Sequence, residues 1–158
     1  MAESFKNYIT KVNTNSDTAV VIVPSGYSNG NTTNIRDAGS VAQIHSLYIS
    51  QYISNKYEGI KRYNPKNFNA FNLFIRDTTS QNSEKIYIVY DGRIVPGSPF
   101  FIEKNITLEP TQELCIECPQ DSKDYDMSNT SNQPIELNNN GAYLHITASA
   151  VLFPDANL

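Results

Sequence analysis

Few residues in the chain carry reactive or ligating chemistry, and their spacing limits what they can do. Cys115-Ile116-Glu117-Cys118 is a CxxC. A redox CxxC opens a helix, whose dipole lowers the thiol pKa. This one sits in an alternating run in which Leu114, Ile116 and Cys118 share one face and Glu113, Cys115 and Glu117 the other. Residues three apart on a strand point to opposite sides. The two thiols can neither bond each other easily nor jointly grip a metal without a bulge. The expectation is two unrelated thiols, Cys118 in the core and Cys115 outside. Two cysteines allow one bridge at most, which excludes a disulfide framework. A structural zinc site usually shows two short-spaced ligand pairs, and here there is one. His45 and His145 fall on two different strands; they are a metal pair only if those strands are neighbours, and otherwise two partly buried strand residues.

Two further clusters have weaker chemistry. Asp121, Asp124 and Asp126 resemble an acidic calcium loop, but an EF-hand needs carboxylates at alternate positions and a central Gly. Lys123 and Tyr125 intervene, and no Gly follows until Gly141. A solvated loop is the alternative. Lys56, Tyr57, Lys61, Arg62, Tyr63 and Lys66 form a local excess of positive charge interleaved with tyrosine. Such a pattern stacks on bases or sugars or anchors a protein contact. A plain surface loop is the third reading. Asn31, Asn105 and Asn129 open glycosylation sequons that mean little without a secretory signal. No Ser-His-Asp motif, GxSxG elbow or phosphate-binding Gly loop is present.

The elements that position these residues read as strands separated by polar loops. Ala19-Val20-Val21-Ile22-Val23 is a β-branched run stopped by Pro24-Ser25-Gly26. A run this apolar predicts a buried strand. Residues 41–53 predict a longer strand, with Leu47 and Ile49 on one face and Ile44 and Tyr48 on the other. Phe71, Leu73 and Ile75 alternate with Asn72, Phe74 and Arg76. Ile86, Ile88 and Tyr90 alternate with Tyr87 and Val89, and Asp91-Gly92 is a hairpin-type turn signal. Residues 100–108 predict a strand with Asn105 inside it or at a bulge. Residues 142–153 predict the last strand, with Leu144, Ile146, Ala148 and Ala150 on one face. Turn signals at this spacing indicate a sandwich or jelly roll. The long polar stretch 119–141 is of a kind usually functional or disordered.

Composition agrees. The chain has 158 residues, which is one ordinary domain. Ten Tyr and seven Phe with no Trp, beside many Ile and Val, favour strands. The net charge of -4 argues against nucleic-acid binding, which normally shows a basic face. No apolar run approaches a membrane span. The first residues hold Glu3 and Lys6 and lack the apolar core of a signal peptide, so a soluble chain made in the cytoplasm is expected.

The order of the strand and turn words resembles a group of small tailed-bacteriophage structural proteins, β-sandwich proteins of the virion. The words are Pro24-Ser25-Gly26 at a strand end, Ile44-His45-Ser46-Leu47-Tyr48-Ile49, Val95-Pro96-Gly97-Ser98, the corner Ile106-Thr107-Leu108-Glu109-Pro110-Thr111-Gln112-Glu113-Leu114, and Leu144-His145-Ile146-Thr147-Ala148-Ser149-Ala150-Val151. Where the group's pattern has Gly at the corner, this chain has Thr111, and it carries two insertions, 57–68 and 119–141. The resemblance implies a virion component: capsid decoration, or a neck or tail accessory protein, with no catalytic residues.

The resulting expectation is an all-β, jelly-roll-like antiparallel β-sandwich of about seven to eight strands. Residues 1–16 are expected to form an N-terminal arm. Residues 17–158 are expected to form one sandwich domain with insertions near 55–68 and 119–141. The function expected is a non-enzymatic phage virion protein, a decoration or cement protein. Its expected partners are the major capsid protein or other virion proteins, and copies of itself, a trimer being favoured. No cofactor, metal, nucleic acid or membrane is expected. The candidate interface residues are Phe5, Tyr8, Tyr57, Arg62, Tyr63, Phe68, Tyr125 and Met127, since apolar groups outside the core are most useful at a contact. Two rivals remain. A carbohydrate-binding module would stack sugars on Tyr57, Tyr63, Tyr87 and Tyr125. A cupin-like enzyme would need a metal cluster of two or three His plus a carboxylate, and with two His in the chain it is the weakest of the readings.

Overall fold

Alternating and β-branched runs form strands throughout, and among the described residues no segment is helical. The computed structural model describes residues 3–13, 18–26, 35–53, 69–79, 84–94, 98–118, 125–126, 135–136 and 142–154. The strands are β1 (Ser4–Asn13), β2 (Val20–Val23), β3 (Val41–Ile53), β4 (Asn69–Asp77), β5 (Ile86–Ile94), β6 (Phe100–Ile102), β7 (Ile106–Leu108), β8 (Gln112–Glu117), β9 (Tyr125–Asp126), β10 (Ile135–Glu136) and β11 (Ala142–Phe153). Four sets of their pairs are nested. The first strand pairs with the last, β2 with β8, β3 with β6 and β7, and β4 with β5, all antiparallel. A long hairpin wound on itself gives this order, which is that of a jelly roll. One sheet runs β1-β11-β3-β6, with β7 also on β3; the other runs β2-β8-β4-β5.

The two sheets pack face to face. Leu144, Ile146, Ala148, Ala150 and Leu152 of β11 line the inner face of the first, and Phe71, Leu73, Leu114 and Ile116 that of the second. The rings of Phe71 and Phe100 meet edge to face at 5.2 Å, joining the sheets. Burying each such Leu, Ile or Phe stabilises the fold by ~1.5–3 kcal/mol.

The segment expected to be an arm is a strand of the sandwich. Residues 4–13 pair with β11 in unbroken register, Ser4 opposite Leu152 through Asn13 opposite Tyr143. Tyr8 and Val12 point inward and are fully buried. Residues 4–13, within the expected arm, are therefore part of the core fold.

Bulges correct two local expectations. In β3, Ser149 pairs with Ser46 but Ala150 with Ile44, so His45 is an extra residue. A one-residue insertion flips the alternation. Ile44 thus joins Leu47 and Ile49 in the core instead of facing away from them. The disturbance carries across to the far side of β3. The strand expected over 100–108 is interrupted between β6 and β7, where Asn105 Oδ1 lies 3.2 Å from His45 Nδ1. Asp91-Gly92 makes no hairpin turn. It lies within β5, where Val89 faces Leu73 and Gly92 faces Phe71, one residue too many. Asp91 takes a left-handed φ of 53°, and its N–H donates to Asn72 Oδ1 at 2.8 Å. A Cβ on Gly92 would sit 2.7 Å from the Phe71 and Val89 side chains, so only glycine fits.

One end of the sandwich is tied by a buried arginine. Arg36 is 3% exposed. Its Nη1 donates to the carbonyls of Pro24 (3.3 Å) and Gln112 (2.9 Å). Its Nη2 donates to those of Leu108 (3.0 Å), Glu109 (3.0 Å) and Ser40, and Nε to Ser40 Oγ at 3.3 Å. Burial pulls the guanidinium pKa down, against attraction from Tyr8 and Glu109. Beside it, Gly26 N–H donates to Pro110 O at 2.7 Å. The end of β2, the start of β3 and the β7–β8 corner are thereby one unit.

Candidate interaction surfaces

The first surface is the outer face of the β1-β11-β3-β6 sheet. Alternation that points Tyr8 and Val12 inward points Phe5 and Ile9 outward, 83% and 70% exposed. Cross-strand register sets Ile9 opposite Thr147, Thr147 opposite Tyr48 and Tyr48 opposite Phe101. The result is one transverse row over four strands. At its end Tyr48 and Phe101 meet edge to face, centroids 4.8 Å apart, with Phe101 60% exposed. The next row is polar and small, Asn7, Ser149 and Ser46, with Ser149 Oγ donating to Asn7 Oδ1 at 2.8 Å.

The second surface is the outer face of the other sheet. Register aligns Val21, Cys115, Phe74 and Tyr87 across β2, β8, β4 and β5. Phe74 and Tyr87 rings lie 5.9 Å apart, and Tyr87 and Tyr90 rings 5.1 Å apart. Exposure rises along this ledge from 0% at Phe74 through 43% at Tyr87 to 72% at Tyr90. Ion pairs flank it: Arg76 with Glu113 and Lys85 with Glu117, each at 2.7 Å, and Arg93 with Asp91 at 3.3 Å. Glu117 holds the Lys85 ammonium pKa above its usual range. Lys85 Nζ also lies over the Phe74 ring at 4.9 Å, and Asn72 Nδ2 donates to Glu117.

The residues singled out from sequence divide sharply. Phe5 is on the first surface. Tyr8 is 0% exposed, so it is a core residue and not a contact. Its hydroxyl donates to Ile35 O at 3.4 Å, and burial pushes its pKa up to about 12. Tyr57, Arg62, Tyr63, Phe68 and Met127 lie outside the described residues, as does the Tyr125 side chain. Asp121 and Asp124 lie outside them too. Ile9, Tyr48, Phe101 and Tyr90 lie outside that set. Their only signal was apolar character on the second face of a strand whose first face was also apolar.

Cys115 and Cys118 are both free and point to opposite sides of the second sheet. Cys118 is in the core as expected. Cys115 is not outside. It is fully buried, between the Val21 and Phe74 positions of the neighbouring strands. Desolvation pushes both thiol pKa values from 9.0 to about 12. A raised folded pKa means the native state holds its proton more tightly than the unfolded one. That stability is complete below about pH 9 and is lost as pH rises toward about 12. Alkaline urea titrations should show this decline, and Cys115→Ala with Cys118→Ala should flatten it apart from the Tyr8 contribution. Among the described residues no group of three or more His, Cys, Asp and Glu is placed to hold a metal. His145 pairs with Ser50, well along β3 from the His45 bulge.

No known family matches the chain, and no curated protein matches it. Among solved structures the chain has distant matches at low identity. A chain from the structure of infectious bursal disease virus strain Gx has 9% identity and a TM-score of 0.46 over 99% of this chain; this chain spans 33% of it. Clostridium thermocellum endo-1,4-beta-D-xylanase 10B, CBM22-1-GH10 modules with xylohexaose, gives 11% identity and TM-score 0.34 over 96% of this chain and 26% of its own. The CBM22-1 xylan-binding domain of Paenibacillus barcinonensis Xyn10C gives 10% identity and TM-score 0.34 over 93% and 95%. The chain's own strand order makes it an all-β, antiparallel jelly-roll sandwich. Its role has to be argued from its own surfaces.

Proposed function

We propose that the chain is a non-enzymatic structural protein of a tailed-phage virion, a capsid decoration or cement protein that works as an oligomer, with a trimer favoured. A place at the neck, tail or fibre is the variant of the same reading. The observation that carries it is the transverse row Ile9, Thr147, Tyr48 and Phe101, with Phe5 on the same face beyond the small polar row Asn7, Ser149 and Ser46, on a face made entirely of paired strands. Large apolar groups cost solubility on a free surface and give the most at a contact, where aromatic anchors dominate binding energy. The order of the strand and turn words supports the same reading. The partner surface belongs to the major capsid protein, another virion protein or a sister subunit.

Two measurements test it. Mass spectrometry of purified particles should find the chain at a fixed copy number per virion. Phe5→Asp with Phe101→Asp changes exposed residues, so the variant should melt like the wild type. It should bind particles, or itself, at least about tenfold more weakly, the loss of ~1.4 kcal/mol or more expected of an anchor. Absence from particles, or unchanged association of the variant, would overturn the proposal.

A further inference from the structure

We infer that the Tyr87–Tyr90 ledge is a carbohydrate-binding site that takes one ring of a β-linked pyranose chain. This surface is on the opposite sheet from the proposed assembly face and stands on separate observations.

The ledge is built, not incidental. Tyr90 stays 72% exposed while its strand is locked in place. Asn72 fixes the left-handed Asp91 next to it, and the Gly92 position has no room for a Cβ. Tyr87 stands at 82° to Tyr90, so the two rings form a corner with a floor and a wall. Phe74, 0% exposed, backs Tyr87 from within the sheet. A ring held this way loses little freedom on binding.

The dimensions and charge favour a sugar over a protein. The exposed aromatic surface is two rings, Tyr87 and Tyr90, with centroids 5.1 Å apart. The Lys85–Glu117 pair flanks it, and the Asp91–Arg93 pair, 53% and 57% exposed, follows Tyr90 along the strand. The core of a protein contact is depleted of charge. The two irregularities in β5 also spoil its edge for an added strand. A β-linked glucose or xylose ring suits both features. Its substituents are equatorial, so its faces present C–H groups to an aromatic ring, while its hydroxyls radiate in plane toward carboxylate and guanidinium groups. Tyr supplies the amphipathic surface this needs.

Native gels cast with xylan, hydroxyethylcellulose or dextran test the inference on the full chain. The protein should be retarded in xylan or hydroxyethylcellulose and not in α-linked dextran. Tyr90→Ala should remove the retardation, with at least about a tenfold loss by calorimetry, and Tyr90→Trp should keep it. Both variants should melt like the wild type, because the residue is exposed. No retardation in either β-glycan gel would overturn the inference, as would retardation that survives Tyr90→Ala. A changed oligomeric state in Tyr90→Ala without glycan retardation would make the ledge a protein contact and overturn it equally. None of these outcomes bears on the Phe5–Phe101 face.

Discussion

A chain that begins after residue 13 is expected not to fold. β1 is ten residues long, and every one of them has a registered partner on β11. Deleting it removes Tyr8 and Val12, 0% and 1% exposed, from the core. Losing a large buried aromatic alone costs ~3–5 kcal/mol, and a buried aliphatic adds more. It also turns β11, whose inner face is Leu144, Ile146, Ala148, Ala150 and Leu152, into a bare edge. Against a total stability of ~5–15 kcal/mol for an ordinary domain, the remainder is near zero. Amide proton dispersion by NMR and a cooperative thermal transition by circular dichroism should both be lost. Tyr8→Phe separates the core's apolar share from the hydroxyl's bond to Ile35, and should stay folded. A truncated chain with a native-like transition would restore the view of residues 1–16 as a free arm.

That first strand shows where sequence reading stops. Its apolar residues Phe5, Tyr8, Ile9 and Val12 are spaced by three, one and three. This is a helical spacing, so the two-residue period of a strand is invisible. The cause is that both faces carry apolar groups, Tyr8 and Val12 for the core and Phe5 and Ile9 for the surface. β3 and β11 have the limits expected of them, because their lengths and flanking breakers are unambiguous. Register was a different matter. Nothing in Gln43-Ile44-His45-Ser46 marks His45 as the extra residue, since the partner strand decides it. Asp91-Gly92 has the composition of a hairpin turn but serves a bulge; both need a left-handed residue, and composition does not tell them apart. The surfaces were hidden for a related reason. Tyr48, Tyr90 and Phe101 are aromatic residues on strands, and aromatic residues on strands are usually core. Only the pairing of strands into two sheets says which face is outside.

Arg36→Met is expected to destabilise the fold by ~3–5 kcal/mol, because it strips the donor from several carbonyls that lose ~1–3 kcal/mol each when buried without one. Nothing about Arg36 in the sequence marks it, since it lies in a polar loop beyond the strands. In the fold its guanidinium meets five backbone carbonyls and the Ser40 hydroxyl. Replacing a buried ion pair by apolar residues is often neutral, because both charges leave together. That escape is closed here. The acceptors of Pro24, Ser40, Leu108, Glu109 and Gln112 are main chain and stay behind whatever replaces the arginine. Each buried carbonyl left without a donor costs ~1–3 kcal/mol, although movement of the corner and entry of water recover part of the sum. Arg36→Lys keeps the charge but offers three donors from one atom instead of five from a planar fork. It should therefore fall between the wild type and Arg36→Met. Thermal melts should drop by roughly 10 °C for Arg36→Met, at ~2–4 °C per kcal/mol for a chain of this size. The urea midpoint should fall with no change in slope. The loss should centre on the β7–β8 corner, so hydrogen exchange at Gly26 and Gln112 should quicken in Arg36→Lys while that of Ile146 and Ala148 does not. A variant that melts within a degree or two of the wild type would mean that the carbonyls find other donors, and that the corner is held by Gly26 and the β2–β8 ladder instead.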